Sequence, residues 1–304
     1  MPLRPRQRAR KPRRLARQRK LGRAIADIAA VSPGVAVRLL LRSFAYPQRT
    51  PPARRSAEVL ASAEPLSFLI GRTKLSAYRW APPSRGGGPT VALFHDYERG
   101  AGYFADYVAP LLDKGCTVIA LDAPASGRSG GTRLCLSDYV RAVHRLNRLT
   151  GPWHTAAGHG FGACALVQAT AQMRPGERPA RLVALGMSAD SDRAYARRLA
   201  AAGITADLRE RFWRQLGRLR DAPAPYDNAL AVGRLADVSG LIIHDLTDPH
   251  CTAEEADEIA AAWPGARVER LEGFGHDLLG TAVLRRVVPF IGAKTSLRET
   301  ALAA

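Results

Sequence analysis

From residue 66 onward the chain repeats one pattern: a short apolar run, a polar or glycine-rich loop, then a longer segment with apolar residues three and four apart. The runs 66–70 and 73–80 flank Gly71-Arg72 and predict a β-hairpin. Further strands are predicted at 90–94, 116–121, 153–157, 181–185, 241–244 and 267–271. Helices are predicted at 102–114, 137–150, 162–173, 253–262 and 278–291, the second of them capped by Ser137 with Asp138 in its first turn. Buried strands alternating with helices imply an α/β protein, a mainly parallel sheet with helices on both faces. Residues 187–239 have a helical pattern and no strand. An insertion beyond a strand's carboxyl end falls over the crevice where such sheets bind ligands, so a helical lid is expected there.

Ahead of this core the pattern changes. Residues 1–23 carry 11 Arg or Lys and no acid. Such a like-charge run with few apolar groups is expected to be a disordered basic arm. Residues 24–65 join an apolar helical stretch, broken at Ser32-Pro33-Gly34, to a proline-rich linker. The α/β domain is placed at 66–292, with the lid at 187–239 and a tail at 293–304.

Charge sharpens this division. The net charge is +18, and residues 1–55 alone hold 16 basic residues against Asp27. The domain body is therefore near neutral and the basic character belongs to the arm. The arm predicts attraction to an anionic membrane surface or, non-specifically, to nucleic acid. It lacks aromatic residues for base stacking. The 46% hydrophobic share excludes a mostly disordered chain. Cys116, Cys135, Cys164 and Cys251 form no C-x-x-C pair, which fits a reduced, cytoplasmic setting. No secretory signal is evident, and the longest uncharged run, 149–173, holds Pro152 and several glycines and reads as strand, turn and helix. A membrane-peripheral position through the arm is compatible with this.

The candidate chemistry lies in the loops after the strands. They read His95-Asp96-Tyr97-Glu98, then 122–129 beginning at Asp122, then Gly158-His159-Gly160-Phe161-Gly162, then 245–250 containing Asp248, and finally Gly273-Phe274-Gly275-His276-Asp277. In this order the set resembles the α/β-hydrolase superfamily, nearest to bacterial esterase- or lipase-like serine hydrolases, over residues 66–292. The resemblance implies a nucleophile elbow at 158–162, an acid at Asp248 and a base at His276, in the order nucleophile, acid, histidine. It implies oxyanion donors at the N–H of Phe161 and at Tyr97 or its neighbour, with His95 and His159 as pocket residues.

Two positions depart from that pattern. The nucleophile position is Gly160, which has no side chain to attack a carbonyl. The oxyanion loop, usually His-Gly in the family, is His95-Asp96 here, and a carboxylate opposes the negative charge such a site stabilises. Ser129, in a literal G-x-S-x-G at 127–131, and Cys164 are the other possible nucleophiles. Asp245 is the other possible acid. Asp96 is also a possible base or a group to bind a cation. His244, Asp248 and His250 match no standard metal spacing, and no nucleotide-binding motif follows a strand, so no metal and no cofactor are expected. The reading is an esterase-like member that lacks acyl-enzyme catalysis, a pseudoenzyme or small-molecule-binding protein for an ester- or acyl-like ligand. The alternative is an active hydrolase or lyase on small ester or acyl compounds, in which His276 and Asp248 activate water or abstract a proton.

Overall fold

In the computed structural model, residues 10–82, 88–219, 226–278 and 280–292 are described. Two helices open the chain, α1 (Arg10–Val31) and α2 (Pro33–Ala45), broken at Ser32 where Pro33 starts the second. Helix α1 corrects the expectation of a disordered arm through residue 23, because from Arg10 the backbone is helical and continuous with the apolar segment. The linker likewise contains a helix, α3 (Arg54–Ala61). The tail expected at 293–304 lies outside the described residues.

The core strands are β1 (Glu64–Ile70), β2 (Thr73–Trp80), β3 (Thr90–Phe94), β4 (Thr117–Leu121), β5 (Thr155–His159), β6 (Arg181–Leu185), β7 (Ser239–Asp245) and β8 (Arg267–Leu271). They form one sheet in the order β1-β2-β4-β3-β5-β6-β7-β8. Strands β3 to β8 run parallel and β2 pairs antiparallel with both β1 and β4. Successive central-strand residues face opposite cores, as the two-residue period of a strand requires. In β3, Ala92 and Phe94 face one core while Val91 and Leu93 face the other. Helices α5 (Leu136–Thr150), α6 (Phe161–Gln172) and α10 (Ala253–Ala262) cover the first face; α4 (Ala105–Leu112) and α11 (Thr281–Gly292) cover the second. The N-cap position of α5 is Cys135 and not Ser137, and its side chain caps no backbone N–H; the Cys135 thiol donates instead to Asp138 at 2.7 Å.

The insertion between β6 and β7 is helical, comprising α7 (Ser191–Ala201), α8 (Ala206–Leu219) and α9 (Asn228–Val232). Asp190 caps α7 by accepting from the N–H groups of Asp192 and Arg193. Arg193 makes a bidentate ion pair with Glu258, and Arg197 pairs with buried Glu255, so two arginines tie α7 to α10. The other side of the insertion has its own apolar core. Leu199, Ile204, Leu208, Phe212 and Leu216 pack against Ile25, Ala36, Val37, Leu40, Leu41 and Phe44 of α1 and α2. The N-terminal helices are thus a clasp on the insertion, joined to it by a cluster separate from the two sheet cores.

Candidate active site

The turn between β5 and α6 shows why its glycines are needed. A Cβ on Gly158 would lie 2.5 Å from the Cα of Ala163, and one on Gly162 would lie 2.4 Å from the carbonyl oxygens of Phe94 and His95. Strand and helix approach too closely for side chains there. Gly160, at the apex, has φ +50° and ψ −116°. A Cβ there would lie 2.2 Å from Asp96 Oδ1 and 3.1 Å from His276 Nε2. The place of a nucleophile's side chain is therefore filled by the carboxylate of Asp96, carried in from the end of β3.

Asp96 makes two contacts in that position. Its Oδ1 accepts the Phe161 N–H at 2.8 Å, and its Oδ2 accepts from His276 Nε2 at 3.2 Å. The other ring nitrogen, Nδ1, donates to Asp248 Oδ2 at 2.7 Å. Asp248 is held in turn, its Oδ1 accepting the N–H groups of His250 at 2.7 Å and Cys251 at 3.3 Å. One imidazole thus bridges two carboxylates in a site nearly closed to water, the His276 side chain being 10% exposed and that of Asp248 fully covered. Burial alone would discharge all three groups. Against it, the hydrogen bonds to Asp248 and Asp96 hold His276 well above the ordinary imidazole range. Against the same burial, the hydrogen bond and charge of His276 hold Asp96 well below the carboxylate range, and Asp248 is lowered in the same way.

The remaining sequence candidates separate cleanly. Tyr97 and Phe161 line the cavity beside Gly160 and His276. His95 does not line it. It is buried beneath the loop, with Nδ1 donating to the Asp96 carbonyl at 2.8 Å and Nε2 accepting the Ala123 N–H at 3.0 Å, which fixes a neutral tautomer. His159 also lies behind the cavity wall. Its Nε2 donates to the His276 carbonyl at 2.7 Å, its ring stacks on Tyr103, and burial lowers its pKa to about 4. The pocket role expected for these two histidines is replaced by a bracing role. Ser129 is fully buried; its hydroxyl donates to the Asp122 carbonyl at 2.5 Å and accepts the Ser76 N–H at 2.9 Å, so it pins two loops together. Cys164 lines the cavity, but burial pushes its thiol up to about 12, far from a thiolate. Asp245 accepts from Thr247 and from the Phe274 N–H, which makes it a loop brace and leaves Asp248 as the partner of His276.

Asp248, Cys251 and His276 bring three potential metal-ligand atoms within 4.8 Å of one another. His276 Nδ1 is already engaged by Asp248, and burial raises Cys251 to about 11, so the donor set fits a hydrogen-bonded triad better than a metal centre. Sequence reasoning missed the far wall of the cavity: Ser191, Tyr195 and Arg198 on α7, with Cys251 beside His276. Their signal was the lid prediction itself, since a helix crossing the carboxyl edge of the sheet must present some residues downward.

The sequence model of the Alpha/beta hydrolase family matches residues 86–288. No curated protein sequence matches the chain. Among solved structures, an esterase of Pyrococcus furiosus superposes with TM-score 0.61 at 17% identity, covering 81% of this chain and 95% of the other. Est1E of Butyrivibrio proteoclasticus, solved with ferulic acid, gives 0.58 at 15%, covering 78% and 98%. The enol-lactonase of Burkholderia xenovorans gives 0.57 at 21%, covering 75% and 100%. At these identities the likeness concerns the fold, an eight-stranded, mostly parallel sheet flanked by helices.

Proposed function

The chain belongs to the alpha/beta hydrolase family, and we propose that within it this protein binds a small molecule and does not work through an acyl-enzyme. One observation carries the proposal: the Asp96 carboxylate stands where a nucleophile's side chain would stand and takes the Phe161 N–H that would stabilise an oxyanion. An acyl-transfer site needs an attacking oxygen and a free donor for the developing charge. Here both places are held by one internal anion. The alternative, water activation by His276 and Asp248, requires Nε2 to accept a proton. Asp96 favours the protonated ring and receives its N–H, so the arrangement supports the binding reading.

Two measurements test this on the full chain. Intact mass after incubation with a fluorophosphonate is expected to show no adduct, and p-nitrophenyl acetate is expected to turn over no faster than in buffer. Turnover that disappears in His276→Ala would sink the proposal, as would a stoichiometric adduct.

We also propose that the N-terminal clasp rests on an anionic phospholipid surface. Among the described residues, Leu21, Val31, Leu39 and Tyr46 are half of the exposed large hydrophobic residues, and all lie on or beside α1 and α2. They are interspersed with exposed Lys20, Arg23, Arg38 and Arg42. Apolar groups among cations suit a headgroup layer better than a nucleic-acid backbone, which offers nothing apolar to bury. Among the described residues no helix is long and apolar enough to cross a membrane.

A further inference from the structure

The cavity beside His276 has two unlike walls. One is the bridged set of Asp96, His276 and Asp248, whose hydrogen-bonding groups are largely used internally. The other, on and near α7, carries donors without partners. Arg198 lines the cavity, and its guanidinium forms no hydrogen bond or ion pair with any described residue. It lies instead over two rings, with Cζ 4.9 Å from the centroid of Phe44 and 5.8 Å from that of Tyr97. Glu98 is near enough to influence Tyr97 but forms no ion pair with Arg198. The hydroxyl of Tyr97 is buried with no hydrogen-bond partner. That of Ser191, buried beside the Cys164 thiol, has no oxygen or nitrogen partner. Buried polar groups are normally satisfied, so unsatisfied donors grouped on one wall of a cavity mark where a ligand's acceptors belong.

From this we infer that the cavity takes a short-chain hydroxy or oxo carboxylate, its carboxylate held by Arg198 with help from Tyr97 and Ser191, and its neutral oxygen turned toward Asp96 and His276. Arg198 supplies a permanent unpaired positive charge and a planar fork suited to a carboxylate. A second anionic group is excluded at the other end, because Asp96 already occupies the anion position on the Phe161 N–H. A neutral hydroxyl can donate to a remaining lone pair of Asp96, and a neutral carbonyl can share the His276 Nε2–H, which Asp96 accepts at a long 3.2 Å. Size sets the chain length. The cavity volume is about 80 Å³, and a water occupies ~30 Å³ of the liquid. A molecule of a few carbons fits that volume with α7 in place.

This inference rests on the proposed non-acylating site, and it is tested by binding alone. The full chain is titrated calorimetrically with sodium lactate and sodium pyruvate, with lactamide as the neutral analogue and sodium chloride as the salt control. At least one carboxylate is expected to bind saturably, with no heat from lactamide or chloride. Arg198→Gln is expected to weaken binding by roughly 10- to 100-fold, the range for losing a hydrogen bond to a charged group. Arg198 also packs on Phe44, so a thermal melt accompanies each variant. If Arg198→Gln does not fold, Tyr97→Phe decides, with an expected loss of about 2- to 10-fold at an unchanged melting temperature. Absence of binding by either carboxylate overturns the inference, as does equal binding of lactamide or indifference to whichever of these variants folds. Those failures leave the fluorophosphonate result untouched, so the two readings fall separately.

Discussion

Restoring a serine at the elbow is the direct test of how this site is built, and the structure predicts that Gly160→Ser alone fails. The new Cβ would sit 2.2 Å from Asp96 Oδ1, so the carboxylate must leave. Steric overlap is not the main cost, because a side-chain end can rotate away. The cost is the pair of charge-assisted hydrogen bonds that Asp96 makes to Phe161 N–H and His276. At ~1.5–3 kcal/mol each, this comes to about 3–6 kcal/mol. A side chain at φ +50° adds strain on the order of 1–3 kcal/mol. Against a typical native stability of ~5–15 kcal/mol the single variant should be severely destabilised. Asp96→Ala loses the same two hydrogen bonds on its own. In Gly160→Ser/Asp96→Ala that loss is incurred once, not twice, so the double variant should be more stable than the sum of the singles by about 3 kcal/mol or more. Urea unfolding of the four proteins reads this coupling. Turnover of p-nitrophenyl acetate reads the chemistry and should be measurable only in the double variant, where a hydroxyl replaces the carboxylate beside His276 with the Phe161 N–H free. Additive stabilities would refute the reasoning, because they would mean that Asp96 does not occupy the serine's place in solution.

Two other outcomes are expected. Stability should depend on pH in a defined sense: His276, raised in the native state, contributes fully below its unfolded value of ~6.5 and loses that contribution as pH rises through its folded value. Asp96 and Asp248, lowered in the native state, contribute fully above ~3.9 and lose that contribution as pH falls through their folded values. Urea midpoints should therefore be highest between about pH 4 and 6.5, and Asp96→Asn should flatten the decline on the alkaline side; an unchanged slope would remove Asp96 as a partner of His276. Separately, the full chain should co-sediment with phosphatidylserine vesicles at low salt and release as salt rises, while a variant lacking residues 1–23 stays in the supernatant. Binding to duplex DNA with no vesicle binding would assign the basic helix to nucleic acid instead.

Much of this architecture was legible from periodicity. The strands at 90–94 and 181–185 and the helix at 253–262 were read at their observed bounds, because they carry the two patterns that distinguish strand from helix. The elbow was legible because Gly158 and Gly162 mark a strand and a helix in near contact. The companions of His276 were half legible. Asp248 followed from loop order, and Asp96 was recognised as unfavourable to an oxyanion. That its carboxylate reaches into the space above Gly160 is a side-chain conformation, which no spacing encodes. The roles of His95 and His159 were misjudged for a related reason: a histidine beside a catalytic loop reads the same whether its ring faces the cavity or braces the backbone behind it. The helix at Arg10–Val31 was missed because local charge argued against it, whereas α2 and the lid hold its apolar end, Ile25 among them, in a tertiary contact far along the chain.

The ring of Phe44 has a practical consequence. It forms one side of the shelf under Arg198, yet it lies upstream of residues 86–288, the stretch that matches the family. A protein trimmed to that stretch for expression or crystallisation would keep the six parallel strands and the bridged imidazole, lose β1 and β2, and leave the guanidinium without that ring. Ligand screens run on such a fragment would sample an altered mouth, so work on specificity should start from a molecule that retains its first two helices.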